Sequence, residues 1–119
     1  IGQGSSIVFQ VAGGCGLGVL DAAKAKNVWG IGVDKDQADV NDHVLTSAVK
    51  RVDQAVYLAI KAATEGQLSG GKDVVYGLAE DGVALGTVNK AVPQSIVDEV
   101  NKVADQIKAG SIDIPTAVK

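Results

Sequence analysis

Four features of this sequence carry residue types that could do chemistry. The first is a glycine-rich turn, Gly13-Gly14-Cys15-Gly16, with Gly18 just beyond it. It follows a short apolar run and precedes a stretch of helix formers. Glycines at such a junction let the backbone approach a ligand and present N–H groups at a helix start. They serve a plain tight turn equally well. The second is Asp34, which closes another apolar run. A carboxylate there can accept two hydrogen bonds from a vicinal diol such as a ribose, or solvate a loop together with Asp36, Asp39 and Asp42. The third is Lys50, beside Arg51, as a donor to a ligand or as a solvated helix residue. The fourth is the pair Cys15 and His43. A thiol at a helix start has a lowered pKa, but no residue near His43 in sequence orients it as a base. Cys15 reads more simply as a small, partly buried turn residue, and Trp29 as packing.

The elements that position these residues follow from hydrophobic periodicity. Residues 7–12 (IVFQVA) form a strand buried on both faces, with Phe9 in the core. Residues 17–26 form a helix stopped at Asn27. Residues 28–33 form a second strand, parallel to the first. Residues 34–43 are a polar loop, and residues 44–46 a short third strand. A long helix is expected over 47–65, with Lys50 one turn into it and Gly66 as its stop. Residues 74–78 form a candidate strand and 82–86 a short extended piece. Pro93 opens a last helix with an apolar stripe from Ile96 to Ile107. Gly110 ends it, and an extended tail runs to residue 119.

Alternating strands and helices predict an α/β fold with a parallel sheet. In such sheets ligands lie beyond the carboxyl ends of the strands, which brings the glycine turn and Asp34 to one place. A dinucleotide fingerprint requires Gly-x-Gly-x-x-Gly. Here Val19 stands where the third glycine belongs, so a dinucleotide-binding enzyme domain is the weaker reading. A sensory or structural homologue without a ligand is a third.

Composition narrows the classes. The 119 residues are 46% hydrophobic and 21% charged, a globular composition. The net charge is −3 with no dense run of Lys and Arg, which argues against a nucleic-acid or anionic-membrane surface. One Cys and one His exclude an intrachain disulfide, a Cys–His zinc centre and a multi-His metal site. The start at Ile1-Gly2-Gln3-Gly4, without Met, reads as a piece of a longer chain.

The wording of four segments resembles a known family. Residues 9–19 are similar to the "VFQVAGGTGLGV" stretch of the basic membrane proteins, substrate-binding lipoproteins of bacterial ABC transporters akin to purine nucleoside receptors. Residues 30–37 resemble that family's "GVDxDQ", residues 45–53 its "LTSxxKRVD", and Val75-Tyr76-Gly77-Leu78 with Gly82-Val83 its "YGLxxGGV". The resemblance covers nearly the whole chain. It implies the C-terminal lobe of a type I periplasmic-binding-protein fold, a three-layer α/β/α arrangement with ligand held between two lobes. Residues 1–72 would be the lobe core. Residues 73–119 would carry a final strand and helix back toward the N-terminal lobe. It further implies purine nucleoside binding without catalysis or cofactor. Asp34 would accept from ribose hydroxyls, Lys50 would donate nearby, and Gly13 and Gly14 would line the cleft. An ABC permease is the implied partner, and the parent would be extracytoplasmic and lipid-anchored. Cys15 departs from the family's Thr or Ser, and its place after a strand rules it out as the lipid attachment site. The stripe from Ile96 to Ile107, without its partner lobe, would favour self-association.

Overall fold

Two strands with a helix between them begin the chain. In the computed structural model, which describes residues 1–115, strand β1 is Ile7–Phe9, helix α1 is Gly16–Ala25 and strand β2 is Trp29–Asp34. A single 3-10 turn, Gly13–Cys15, joins β1 to α1. Strand β3 is Val44–Lys50, helix α2 is Val52–Thr64, strand β4 is Val83–Leu85 and helix α3 is Gln94–Lys108. The expectation of an extended tail to residue 119 runs past the described residues. Among these, no helix is long and apolar enough to cross a membrane.

The four strands form one sheet in the order β1-β2-β3-β4. The first three are parallel, as the alternation of elements requires, and β4 adds an antiparallel edge on β3. This is the α/β fold expected, with a mixed sheet. Helix α1 packs on β1 and β2. Its Leu20 is 1% exposed, and Gly30 in β2 makes room for it: a Cβ there would lie 2.6 Å from Leu20 Cδ2. Asn27 leaves α1 with φ +54, and Gly66 and Gly110 lie in the same left-handed region after α2 and α3. These are the stops expected at those positions.

Parallel strands need a connection that returns along their whole length. Between β2 and β3 the polar segment 35–43 makes this return without a helix. Asn41 Nδ2 donates to the Leu20 carbonyl at 3.3 Å, and Lys24 pairs with Asp42 at 2.9 Å, so the segment is fastened to α1. Ser47 and Ala48 point to opposite faces of β3. Ser47 faces this segment, through Gln37. Ala48 faces an open cavity of about 530 Å³ that α3 borders with Val100, Val103 and Ile107. Material therefore lies on both sides of the sheet, but only α1 is closely seated.

Several local expectations fail for identifiable reasons. Phe9 is 54% exposed, because β1 is the free edge of the sheet and is three residues long. Residues 47–50 continue β3 instead of starting the helix, because β2 pairs with Ser47, Ala48 and Val49 on one side and β4 with Ala48, Val49 and Lys50 on the other. Residues 74–78 form no strand. Gly82 folds back on them, with its N–H donating to the Gly77 carbonyl at 2.8 Å, and Asp81 turns at φ +60. A Cβ at Gly82 would collide with the Tyr76 backbone.

Candidate ligand-binding site

The candidate residues gather at the carboxyl ends of the parallel strands. Asp34 is the last residue of β2 and Lys50 the last of β3. In the parallel register Asp34 stands opposite Val49, one residue short of Lys50. The two side chains meet: Lys50 Nζ lies 2.8 Å from Asp34 Oδ1, with the lysine side chain 65% and the aspartate side chain 49% exposed. An exposed pair like this contributes little to stability, about 0–1 kcal/mol. Its carboxylate and ammonium are therefore free to exchange each other for a ligand's hydroxyls. Lys50 reaches this place as a strand end, not from one turn inside a helix, and the β3–β4 pairing is the reason.

Asp34 has φ +70. A non-glycine residue is strained there, at a cost of order 1–3 kcal/mol, and such residues gather at functional positions. The strain directs the chain sharply out of β2 into the 35–43 segment, with the Lys35 N–H donating to the Val33 carbonyl at 2.9 Å.

The glycine turn follows the neighbouring strand. Gln10 continues β1, its N–H donating to the Ile31 carbonyl at 3.3 Å. Gly13 takes φ +53, and Gly13 and Gly14 are exposed with open space where a Cβ would stand. Gly16 is different: a Cβ there would overlap the Gln10 amide, so this glycine is a packing residue. Cys15 is exposed, not partly buried. His43 lies at the opposite end of the sheet, where its carbonyl accepts from the Gly30 N–H. Its Nδ1 is 3.0 Å from the Val28 carbonyl and its ring lies 5.2 Å from that of Trp29. Cys15 and His43 do not form a nucleophile–base pair.

Beneath the site lie polar residues that periodicity did not single out. Gln10, Gln37 and Ser47 are buried. Gln37 Oε1 accepts from Gln10 Nε2 at 2.9 Å and from the Val33 N–H at 3.0 Å, while the Gln37 N–H donates to Ser47 Oγ at 3.0 Å. Gln10 Oε1 accepts from the Ala12 N–H at 3.1 Å. The available signal was a glutamine inside an apolar run, and Gly32, whose missing side chain leaves room for the Gln37 head.

Beside Asp34, Asp36 ties the loop to the chain beyond β4. Its Oδ2 accepts from the Thr87 hydroxyl at 2.6 Å and the Thr87 N–H at 2.9 Å. The Thr87 hydroxyl, then its N–H, hold the Asp36 carboxyl below its ordinary pKa.

Comparison with known proteins gives a consistent set. The family of PnrA-like ABC transporter substrate-binding proteins matches residues 1–117. The ABC transporter nucleoside-binding protein BmpA of Lactococcus lactis is 35% identical over 133 residues, covering 97% of this chain and 37% of that protein. Basic membrane protein D of Borreliella burgdorferi is 38% identical over 120 residues, covering 95% of this chain and 35% of the relative. A solved transcriptional activator of the comK gene from Bacillus halodurans superposes with TM-score 0.83 at 26% identity, over 90% of this chain and 38% of that one. An ABC solute-binding protein from Aeropyrum pernix shares the fold, with TM-score 0.79 at 24% identity, over 99% of this chain and 42% of that one. The chain thus spans little more than a third of the length of the curated relatives it matches.

Proposed function

Because the chain belongs to the PnrA-like family of ABC transporter substrate-binding proteins, we propose that it supplies one wall of a cleft that binds purine nucleosides for import. The observation that carries this reading is the pairing of Asp34 with Lys50 at the carboxyl ends of adjacent parallel strands. A carboxylate and an ammonium side by side offer acceptors and donors to a vicinal diol. The exposed turn at Gly13 and Gly14, after the next strand, gives the backbone close access to the same ligand. Affinity would come from these hydrogen bonds and from enclosure when a second lobe closes. Residues 1–72 would form the lobe core. Residues 73–119 would return toward the other lobe, although β4 is shared with the core sheet. The parent would be extracytoplasmic, lipid-anchored and partnered by an ABC permease. It would bind without catalysing.

Calorimetry with adenosine and guanosine on this chain and on its full-length parent tests the proposal. The parent should bind, and the chain alone weakly or not at all. Tight binding by the chain alone would sink the closure of two lobes as the source of affinity. In the parent, Asp34→Ala should weaken binding by tenfold or more, since a charge-assisted hydrogen bond is worth about 1.5–3 kcal/mol. Unchanged affinity would favour a homologue that kept the fold for another role, a reading to which the fold's occurrence in a protein described as a transcriptional activator lends weight. A titration followed by NADH fluorescence tests the dinucleotide reading, which the failed glycine fingerprint already disfavours.

A further inference from the structure

We infer that Gln10 and Gln37 form a buried positioning bridge that locks the glycine turn and the Asp34 arm into one unit. The ligand-facing role of those two features rests on the function proposed above. The bridge is read from four contacts. Gln10 holds the Ala12 N–H, next to Gly13, while Gln37 holds the Val33 N–H, next to Asp34. The two amides are joined head to head at 2.9 Å. Ser47 fixes the Gln37 backbone to β3, the strand that ends at Lys50. The carboxyl ends of β1 and β2 thus depend on one pair of side chains, and the Gln37 backbone ties that pair to β3.

The pair is 3% and 5% exposed, so water does not replace its partners when one is lost. A buried amide left unpaired costs about 1–3 kcal/mol, and among the described residues no buried side-chain nitrogen or oxygen is without a partner. The space is specific to this purpose. A Cβ at Gly16 would overlap the Gln10 amide, and one at Gly32 would lie 2.6 Å from Gln37 Oε1. Two glycines in regular structure, one opening α1 and one inside β2, are therefore explained by glutamine heads and not by turns. The strained φ of Asp34 needs its surroundings to hold it. The Gln37 bond to the preceding residue's N–H is a buried side-chain contact that does so from within.

Amide hydrogen exchange, followed residue by residue, separates coupling from local support. In Gln37→Met, of similar length but with only a weakly accepting sulfur in place of the amide oxygen, exchange at Val33 should accelerate tenfold or more. Exchange at Ala12, which Gln37 does not touch, should accelerate with it. Acceleration at Val33 alone would overturn the bridge. Gln37→Glu keeps the accepting oxygen and should leave both amides slow; fast exchange at both would also overturn it. Should Gln37→Met fail to fold, Gln10→Glu carries the test, since it retains the acceptor for Ala12 but loses the donor to Gln37. Val33, which Gln10 does not touch, should then accelerate, and an unchanged Val33 would count against the bridge. In the full-length parent, adenosine affinity should fall about tenfold in Gln37→Met at matched folded fraction, about 1.4 kcal/mol. Loss of melting temperature with unchanged affinity would reduce the pair to a structural role. If the unmodified parent bound no adenosine, the nucleoside reading would fail, and the exchange experiment would still decide the bridge.

Discussion

The sheet with α1 and the two later helices obey the same rules of sequence and reach different ends. Helix α1 buries Leu20 and Ala23 completely against β1 and β2. Helices α2 and α3 bury no residue, although their apolar stripes are at least as regular. On α2, Val52, Val56, Tyr57 and Ile60 are more than half exposed. The radius of gyration, 16.9 Å, exceeds the roughly 13.5 Å of a compact chain this long. Amphipathic periodicity thus says that a helix has a partner surface and does not say whether that surface is in the same 119 residues.

The contrast can be broken by mutation, and the largest effect is expected in the seated region. Leu20→Ala should destabilise the chain by about 3 kcal/mol through a cavity under α1, read by chemical denaturation. A loss below about 1 kcal/mol would mean that α1 is no better seated than α2. Gly32→Ala should cost about 2 kcal/mol, because the new methyl meets Gln37 and Ser47, both buried and held by hydrogen bonds that a shift would break.

Acid tests the tie between the loop and the chain beyond β4. The folded pKa of Asp36 is depressed by Thr87. Its contribution is therefore complete above the ordinary value near 3.8 and lost as pH falls through the lowered folded value. Asp36→Asn should flatten the acid limb of a stability–pH curve, and an unchanged limb would remove Asp36 from the account. The smallest effect is expected on α2. Ile60 is 60% exposed, so Ile60→Ala should change stability by no more than about 0.5 kcal/mol. The exposed stripes should instead show as self-association in sedimentation experiments. A clean monomer at high concentration would argue that they are solvated without consequence.

The legible part of the fold was its local part. The β1–α1–β2 unit follows from apolar runs and glycines, and the stops at Asn27, Gly66 and Gly110 from the residues that tolerate left-handed backbone. What stayed hidden depended on partners far along the chain. Residues 47–50 carry a pattern that suits helix and strand alike, and the choice fell to β2 and β4 together. Residues 74–78 had the composition of a strand, but the turn at Asp81 folds Gly82 back on them and takes the Gly77 carbonyl. In the site, Asp34, Gly13 and Gly14 were legible as chemical types at strand ends, whereas Lys50 was expected one turn into a helix and its approach to Asp34 required the register of β3. Gln10 was passed over because polarity within an apolar run reads as noise until its hydrogen bonds are seen, and Gln37 because it stands in a loop where polar residues are ordinary.

The antiparallel edge also has a meaning in the order of assembly. Pairs such as Ile7–Trp29 and Gly32–Ser47 close shorter loops than Lys50–Val83 does. Loop-closure entropy rises with separation, so the three parallel strands should pair first and β4 dock last. The end of β3 that carries Lys50, already lying beside β2, would then acquire its second neighbour last on folding.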